Sequence, residues 1–217
     1  MRREESSTRT LKRILEAAEG EFGGHGFAGA RMERIARRAG VNKASLYYHV
    51  GGKQALYKKV LMDILPDLKG SMTDELEAAQ GARERMAVFI RMLADTIALR
   101  ESISKILLSE LARGFKSMPQ EVVIRLKGLF SIFRGIVIEG KEAGVFRSDY
   151  NPHVGHAMAM GGFLLISAGR AGRGIQDIQA DPGFSYQPPV LSSSCGELAE
   201  EVLRYMLVAM VANAGMP

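Results

Sequence analysis

Cysteine is almost missing from this chain: Cys195 stands alone among 217 residues. One thiol excludes an internal disulfide framework and any multi-cysteine zinc site, and a reducing, cytoplasmic setting is the expectation. Tryptophan is absent, aromatic residues make up 7% of the chain, and there are seven prolines. Alternating Val/Ile/Thr runs are lacking almost everywhere, which argues against an extensive sheet. No stretch reaches the ~18 consecutive apolar residues of a membrane span. The opening MRREESSTRTLKRILEAAEGEF has no uninterrupted apolar run, so it does not read as a secretory signal. A Walker loop and an HExxH pair are also missing; the glycine-rich GRAGRG near residue 170 lacks the Lys-Ser/Thr that would end a phosphate loop.

What is present is ordinary globular composition, 47% apolar and 24% charged. The charge is lopsided. Residues 1–60 carry 13 Lys and Arg against 6 Asp and Glu, whereas residues 61–217 carry 16 against 18. A basic N-terminal quarter on a near-neutral body points to an anionic partner for that quarter, nucleic acid or a membrane surface.

Apolar residues recur at spacings of three and four, the mark of helices. Leu11, Ile14, Leu15, Ala18 and Phe22 form one stripe, predicting a helix over about 10–22 that ends at Gly23-Gly24-His25-Gly26. Short helices are expected over 32–39 and 43–49, and a longer one from about Lys53, kinked or ended by Pro66. Further helical patterns cover about 82–99, 101–114, 119–143, 152–169 and 197–213. Asn151-Pro152 opens the fourth of these as an N-cap followed by proline, and Ser194-x-x-Glu197 is a capping box for the last. The Gly-, Pro- and Ser-rich stretch 170–193 reads as a long loop.

The informative segment is RMERIARRAGVNKASLYYHVGGK, Arg31 to Lys53. Ile35, Val41 and Leu46 are spaced to form a small apolar centre, Ala36 is small where two helices must approach, and Gly40 permits a turn with positive φ. These are the requirements of a helix-turn-helix, whose second helix enters the major groove of DNA. Here that helix is KASLYYH, with Asn42 just ahead of it. Lys43 can donate to guanine, Ser45 can bond either base-pair type, and Ala44 can touch a thymine methyl. Tyr47, Tyr48, His49 and Lys53 offer polar tips for phosphate, and Arg2, Arg3, Arg9, Arg31, Arg34, Arg37 and Arg38 add positive field.

The segment IARRAGVNKASLYYHVGGKQAL resembles the tetracycline-repressor (TetR) family of bacterial transcription regulators. The spacing IA-x-x-AGV-x-x-x-x-LY-x-H-x-x-x-K-x-x-L matches without gaps from Ile35 to Leu56, and RILEAAEGEFGGHGF fits the family's lead-in helix. The specific likeness covers about residues 8–60; GIVIEGKEAGVFRSDYNP adds a weaker one. Arg31 stands where the family usually has a capping Thr or Ser that also contacts phosphate, and Val50 stands where it usually has Phe, so a slightly smaller local core is expected.

The resemblance implies an all-α fold: a three-helix DNA-binding head over 1–55, and a helical effector-binding and dimerisation body over 56–217. It implies a cytoplasmic homodimer, most often a repressor, that binds a palindromic duplex operator and answers to a small-molecule effector. No cofactor, metal or membrane partner is expected, and no catalysis. Candidate effector contacts are Phe89, Met92, Thr96, Phe130, Phe133, Arg134 and Met158, since Met- and Phe-lined cores adapt to apolar ligands. The family's last two helices pair with their copies, which here points to Ala157, Gly161, Gly162 and Leu165 on the first and Leu198, Val202, Tyr205 and Ala209 on the second.

Two other readings rest on residues. His153-x-x-His156 lies on one helical face and can bind a metal, as a sensor or an enzyme would, although no third ligand is evident. RTLKRILEAAEGEF is amphipathic, but Glu16, Glu19 and Glu21 make it a poor match to anionic lipid.

Overall fold

The computed structural model describes residues 2–65, 71–170 and 195–211. Among them helix is the regular structure, and an isolated antiparallel bridge joins Phe146 to Val211. The helices are α1 (Arg2–Gly29), α2 (Met32–Ala39), α3 (Lys43–Val50), α4 (Lys53–Ile64), α5 (Ser71–Ala78), α6 (Gly81–Leu99), α7 (Glu101–Ala112), α8 (Gln120–Glu142), α9 (Pro152–Arg170) and α10 (Cys195–Met210).

Two local expectations differ from the structure. The first helix starts earlier than expected and runs past Gly23-Gly24, and its path breaks at Gly26, the last residue of the expected stop, with φ 62° and ψ 177°, before a final turn to Gly29. A Cβ on Gly23 would make ordinary contact with Ser102, at 3.4 Å. Helix α5 has no counterpart in the expected pattern; SMTDELEA holds too few apolar residues to advertise itself. Helix α4 ends at Ile64 with Leu65 as its cap, ahead of Pro66. Pro66, Ser194 and 171–193 of the expected loop lie outside the described residues.

Chain contacts define two compact units, Met1–Pro66 with Ser102–Val123, and Asp67–Glu101 with Ile124–Pro217. Tyr57, Val60, Leu61 and Ile64 of α4 are buried, and most of α7 belongs to the first unit.

The first unit is built on α1, whose stripe buries Ile14, Ala18 and Phe22 completely. Helices α2 and α4 pack on it. Phe22 and Phe27 hold the Tyr57 ring between them at 4.7 and 4.9 Å. The Tyr57 hydroxyl donates to Glu110 Oε1 at 3.0 Å, and Glu110 is 1% exposed. In the second unit α6 packs against α9 and α10, over a core of Met86, Phe89, Ile90, Phe133, Val137, Phe163 and Met210. Phe146 lies so close on Gly140 that any Cβ there would overlap its ring. Asn151 caps α9 as expected, its Oδ1 accepting from the His153 N–H at 2.9 Å.

Candidate nucleic-acid interface

Helices α2 and α3 form the expected pair. Ile35 and Leu46 are fully buried, and Ala36 is 5% exposed at the approach. Gly40 takes the left-handed conformation, φ 63° and ψ 38°, and the Val41 N–H reaches back to the Ala36 carbonyl at 3.0 Å. The Asn42 side chain caps α3 by accepting the Ser45 N–H at 2.7 Å. This cap fixes where α3 begins, and Asn42 is thereby occupied in building the helix as well as standing beside its exposed end. Val50 is buried at 3% exposure and completes the α3 contact with no change of fold.

One side of α3 is therefore pinned to the core, and the other carries the candidate readers. Lys43, Ala44, Tyr47 and Tyr48 are exposed, while Ser45 and His49 are partly so. Tyr48 is 87% exposed, with its ring edge-on to His49 at 5.5 Å. A phenol so far out of the core has no packing reason to be there.

The flanking charges are organised more tightly than the spacing foretold. Lys43 Nζ donates to Glu33 Oε1 at 2.6 Å, and this hydrogen bond raises the lysine pKa while lowering that of the glutamate. Lys53 Nζ turns to the Ala28 carbonyl at 3.2 Å and lies over the Phe27 ring at 4.8 Å. Burial holds its pKa below the usual lysine value. Arg31 provides no side-chain cap for α2. Its own N–H instead donates to Glu21 Oε1 at 2.9 Å, so a carboxylate from α1 holds the residue that opens α2, while the N2 and N3 donors that a capping Thr or Ser would take receive no side-chain cap. Burial alone would raise the Glu21 pKa, but hydrogen bonds from Arg34 and Arg31 outweigh it and leave the group below its ordinary value. The Arg31, Arg37 and Arg38 side chains are exposed. Those of Arg2 and Arg3 lie outside the description.

Glu21, Glu33 and Arg13 were not singled out in the sequence as site residues. Their partners lie 10 to 27 positions away, and no helical periodicity links such pairs.

In the second unit, Phe89 and Phe133 pair at 5.8 Å, and His156 meets the edges of Phe130 and Phe133 at 5.2 and 5.3 Å. Met92 and Thr96 are partly buried, and the Thr96 hydroxyl is spent on the Met92 carbonyl. The expected effector set is not all brought together: Arg134 is exposed and Met158 is 72% exposed. Met158 lines instead an open groove of about 460 Å³ with Val154, Tyr150, Val202, Tyr205 and Ala209. The expected pairing residues Ala157, Leu165, Tyr205 and Ala209 are exposed, and Gly161, Gly162 and Val202 partly so; the Leu198 side chain lies outside the description. His153 stacks on Phe130 at 4.6 Å. Among the described residues no group of three or more His, Cys, Asp or Glu side chains gathers where a metal could sit, so the two-histidine reading finds no third donor there. No described helix is long and apolar enough to cross a membrane.

A basic, tyrosine-bearing second helix on a buried scaffold defines a helix-turn-helix DNA-binding protein. The family model for bacterial regulatory proteins of the tetR family matches residues 14–60, and that for the C-terminal region of YsiA-like proteins matches residues 63–166. The chain belongs to the TetR family of bacterial transcriptional regulators.

It is 40% identical over 77 residues to an HTH-type transcriptional repressor of Streptomyces coelicolor, a match spanning 36% of this chain and 40% of that relative's length. It is 29% identical over 153 residues to the HTH-type transcriptional repressor NicS of Pseudomonas putida, spanning 68% of this chain and 70% of the relative. The fold is shared with the ketosteroid transcriptional regulator KstR2 of Mycobacterium tuberculosis, with TM-score 0.72, 18% identity, and 94% and 95% of the two chains covered. It is also shared with the regulator FadR of Bacillus subtilis in complex with stearoyl-CoA, with TM-score 0.62, 17% identity, and 91% and 98% covered.

Proposed function

We infer that this protein is a homodimeric, cytoplasmic repressor that holds a palindromic operator through α3 and releases it on binding a small apolar effector. The observation that carries the DNA part is the division of α3: Leu46 and Val50 are buried, while Lys43, Ala44, Tyr47 and Tyr48 face outward from a helix whose start is fixed by Asn42. Lys43, Ala44 and Ser45 meet base edges, and Tyr47, Tyr48 and His49 meet phosphates, with Arg31 and Lys53 flanking them.

One such helix reads a short half-site, and two related by a two-fold axis read two half-sites about 34 Å apart or a multiple of that. A two-fold contact fits the outward apolar row of Val154, Met158 and Leu165 on α9 and Tyr205 and Val208 on α10, all more than half exposed. Exposed apolar area of this kind on two adjacent helices is what an isologous interface would cover.

The effector reading draws on the aromatic cluster of Phe89, Phe130 and Phe133 and on likeness to a regulator whose complex holds stearoyl-CoA. An effector that weakens operator binding 100-fold must favour the released state by about 2.7 kcal/mol. The domains of this reading are the head over 1–55 and the effector and dimer body over 56–217.

A gel-shift titration with duplexes enriched from a random pool tests it, run with and without long-chain acyl-CoA. Selective retention that acyl-CoA abolishes supports the whole reading. Retention that resists every apolar ligand removes the switch and leaves the DNA part standing.

A further inference from the structure

Helix α2 is eight residues long, about 12 Å at the helical rise. On α1, Arg13 and Glu21 are also eight positions apart. The two spans match, and each residue meets one end of α2. Glu21 Oε1 accepts the Arg31 N–H at the N-terminus at 2.9 Å. The Arg13 guanidinium donates to the last carbonyls, those of Ala39 and of Gly40, the latter at 3.1 Å. A carboxylate thus sits at the positive end of the helix dipole and a guanidinium at the negative end, the sense that attracts at both. One donor at the start of α2 and two acceptors at its end are thus taken by side chains of another helix.

Two consequences follow for DNA binding. First, α3 is joined to α2 by Gly40-Val41-Asn42 and packs on α2 as well as on α1 and α4, so the axis of α2 is one of the supports that set the axis of the reading helix. Second, Glu21 holds Arg34. Arg34 Nε donates to Glu21 Oε1 at 2.6 Å, and its terminal nitrogen donates to the Gly29 carbonyl at 2.7 Å. Glu21 is 6% exposed. His25 stands 3.7 Å from its other oxygen, and the Lys53 charge also acts on this cluster. Arg34 lies in the motif and looks like one more phosphate contact, yet its fork is turned inward.

We propose that Glu21 and Arg13 are positioning residues for operator recognition, clamping α2 at both ends so that α3 meets the groove at one angle, with Glu21 withholding Arg34 from the phosphate backbone. This rests on the DNA reading above and adds to it which residues set selectivity without touching DNA. A loosened clamp leaves the positive surface intact, so general affinity survives while discrimination is lost. Freed Arg34 adds a phosphate contact and with it a steeper salt dependence.

The test uses the full-length protein, a duplex enriched from a random pool by the wild-type protein, and a scrambled duplex of equal length. Affinities are read by fluorescence polarisation over a series of KCl concentrations, at a temperature where circular dichroism reports the folded state. In Glu21→Gln the enriched-to-scrambled ratio falls by about tenfold, the loss that one wrong base pair causes. The log–log salt slope on scrambled DNA steepens by about 0.9 per protomer. Adding Arg34→Gln returns the slope to its wild-type value. Arg13→Gln lowers the ratio with no change of slope. Arg34→Gln alone leaves the slope unchanged and remains informative if Glu21→Gln does not fold.

A folded Arg13→Gln or Glu21→Gln protein with undiminished selectivity overturns the clamp, because a merely stabilising pair would move the melting temperature and not the ratio. A slope that drops in Arg34→Gln alone overturns the withholding of Arg34. If the wild-type protein enriches no sequence, the DNA reading itself falls and the clamp with it; selectivity equal in wild type and variants sinks the clamp alone.

Discussion

Lys43 and Glu33 share a hydrogen bond of 2.6 Å across the two helices of the DNA-reading pair, with both side chains more than half exposed. A pair this open contributes little to folding, but it places a negative charge beside the first residue of α3. Phosphate is repelled by that charge, and Lys43 must leave its partner, or carry it along, to reach a base. Glu33→Gln is therefore expected to leave the melting temperature within about 1 °C, since surface changes alter stability little. Binding to scrambled duplex should strengthen by about three- to tenfold at low salt, with the gain lost as salt rises. Polarisation titrations at two salt concentrations check this; unchanged affinity for scrambled DNA would separate Glu33 from the DNA surface.

Tyr57 and Glu110 form a buried pair in the first unit. The tyrosine hydroxyl satisfies one carboxyl oxygen, while Glu110 Oε2 has no partner. Burial and the neighbouring carboxyl push the phenol pKa far above its usual value, so it stays a donor. Tyr57→Phe strands both oxygens and should cost about 1.5–3 kcal/mol. The double variant Tyr57→Phe, Glu110→Met removes the stranded group and should recover most of that loss. Urea denaturation of the single and double variants measures the difference; additive losses would show that the two residues do not act as a pair.

The interface was legible where its determinants are local. The Ile35, Ala36, Gly40, Leu46 spacing specifies two short helices and the turn between them within a dozen residues, and the structure has them there. The hold on the start of α2 was not legible, because Glu21 takes the Arg31 N–H from a different helix. The glycine run 23–26 marked a break without saying which glycine makes it; the break falls on Gly26. Arg134 and Met158 were chosen by residue type, which carries no information on burial, and both are exposed. The Tyr57–Glu110 contact joins positions 53 apart, a distance over which residue order alone carries no pairing information.

His156 gives a pH dependence with a definite sign. Its Nε2 is buried without a partner, between Phe130 and Phe133. Burial first, and then the nearby His153, lower its pKa below the usual 6.5. The unfolded chain therefore binds the proton more readily than the folded one. Stability from this group is full above pH 6.5 and is lost as pH falls through and below that value. Thermal melts at pH 7.5 and 5.5 should show a lower midpoint at the acid end, and His156→Leu should flatten the difference. Parallel pH curves for the two proteins would mean that His156 stays equally protonated in both states.

Met158 and Val208 are 72% and 73% exposed, on α9 and α10 respectively. Neither is held by the core of its own protomer, so replacing them with aspartate should spare the fold. If their faces form the two-fold contact, Met158→Asp with Val208→Asp buries four like charges in one interface. That loss should shift the protein to monomer at micromolar concentration, as uncompensated buried charge opposes association. Light scattering after size-exclusion chromatography reads the mass. Operator affinity should fall with it, because one head alone keeps only its half-site and forfeits the effective concentration of the linked second head, a factor on the order of 10² or more. A double variant that stays dimeric and keeps its operator affinity would move the interface to another face of the second unit.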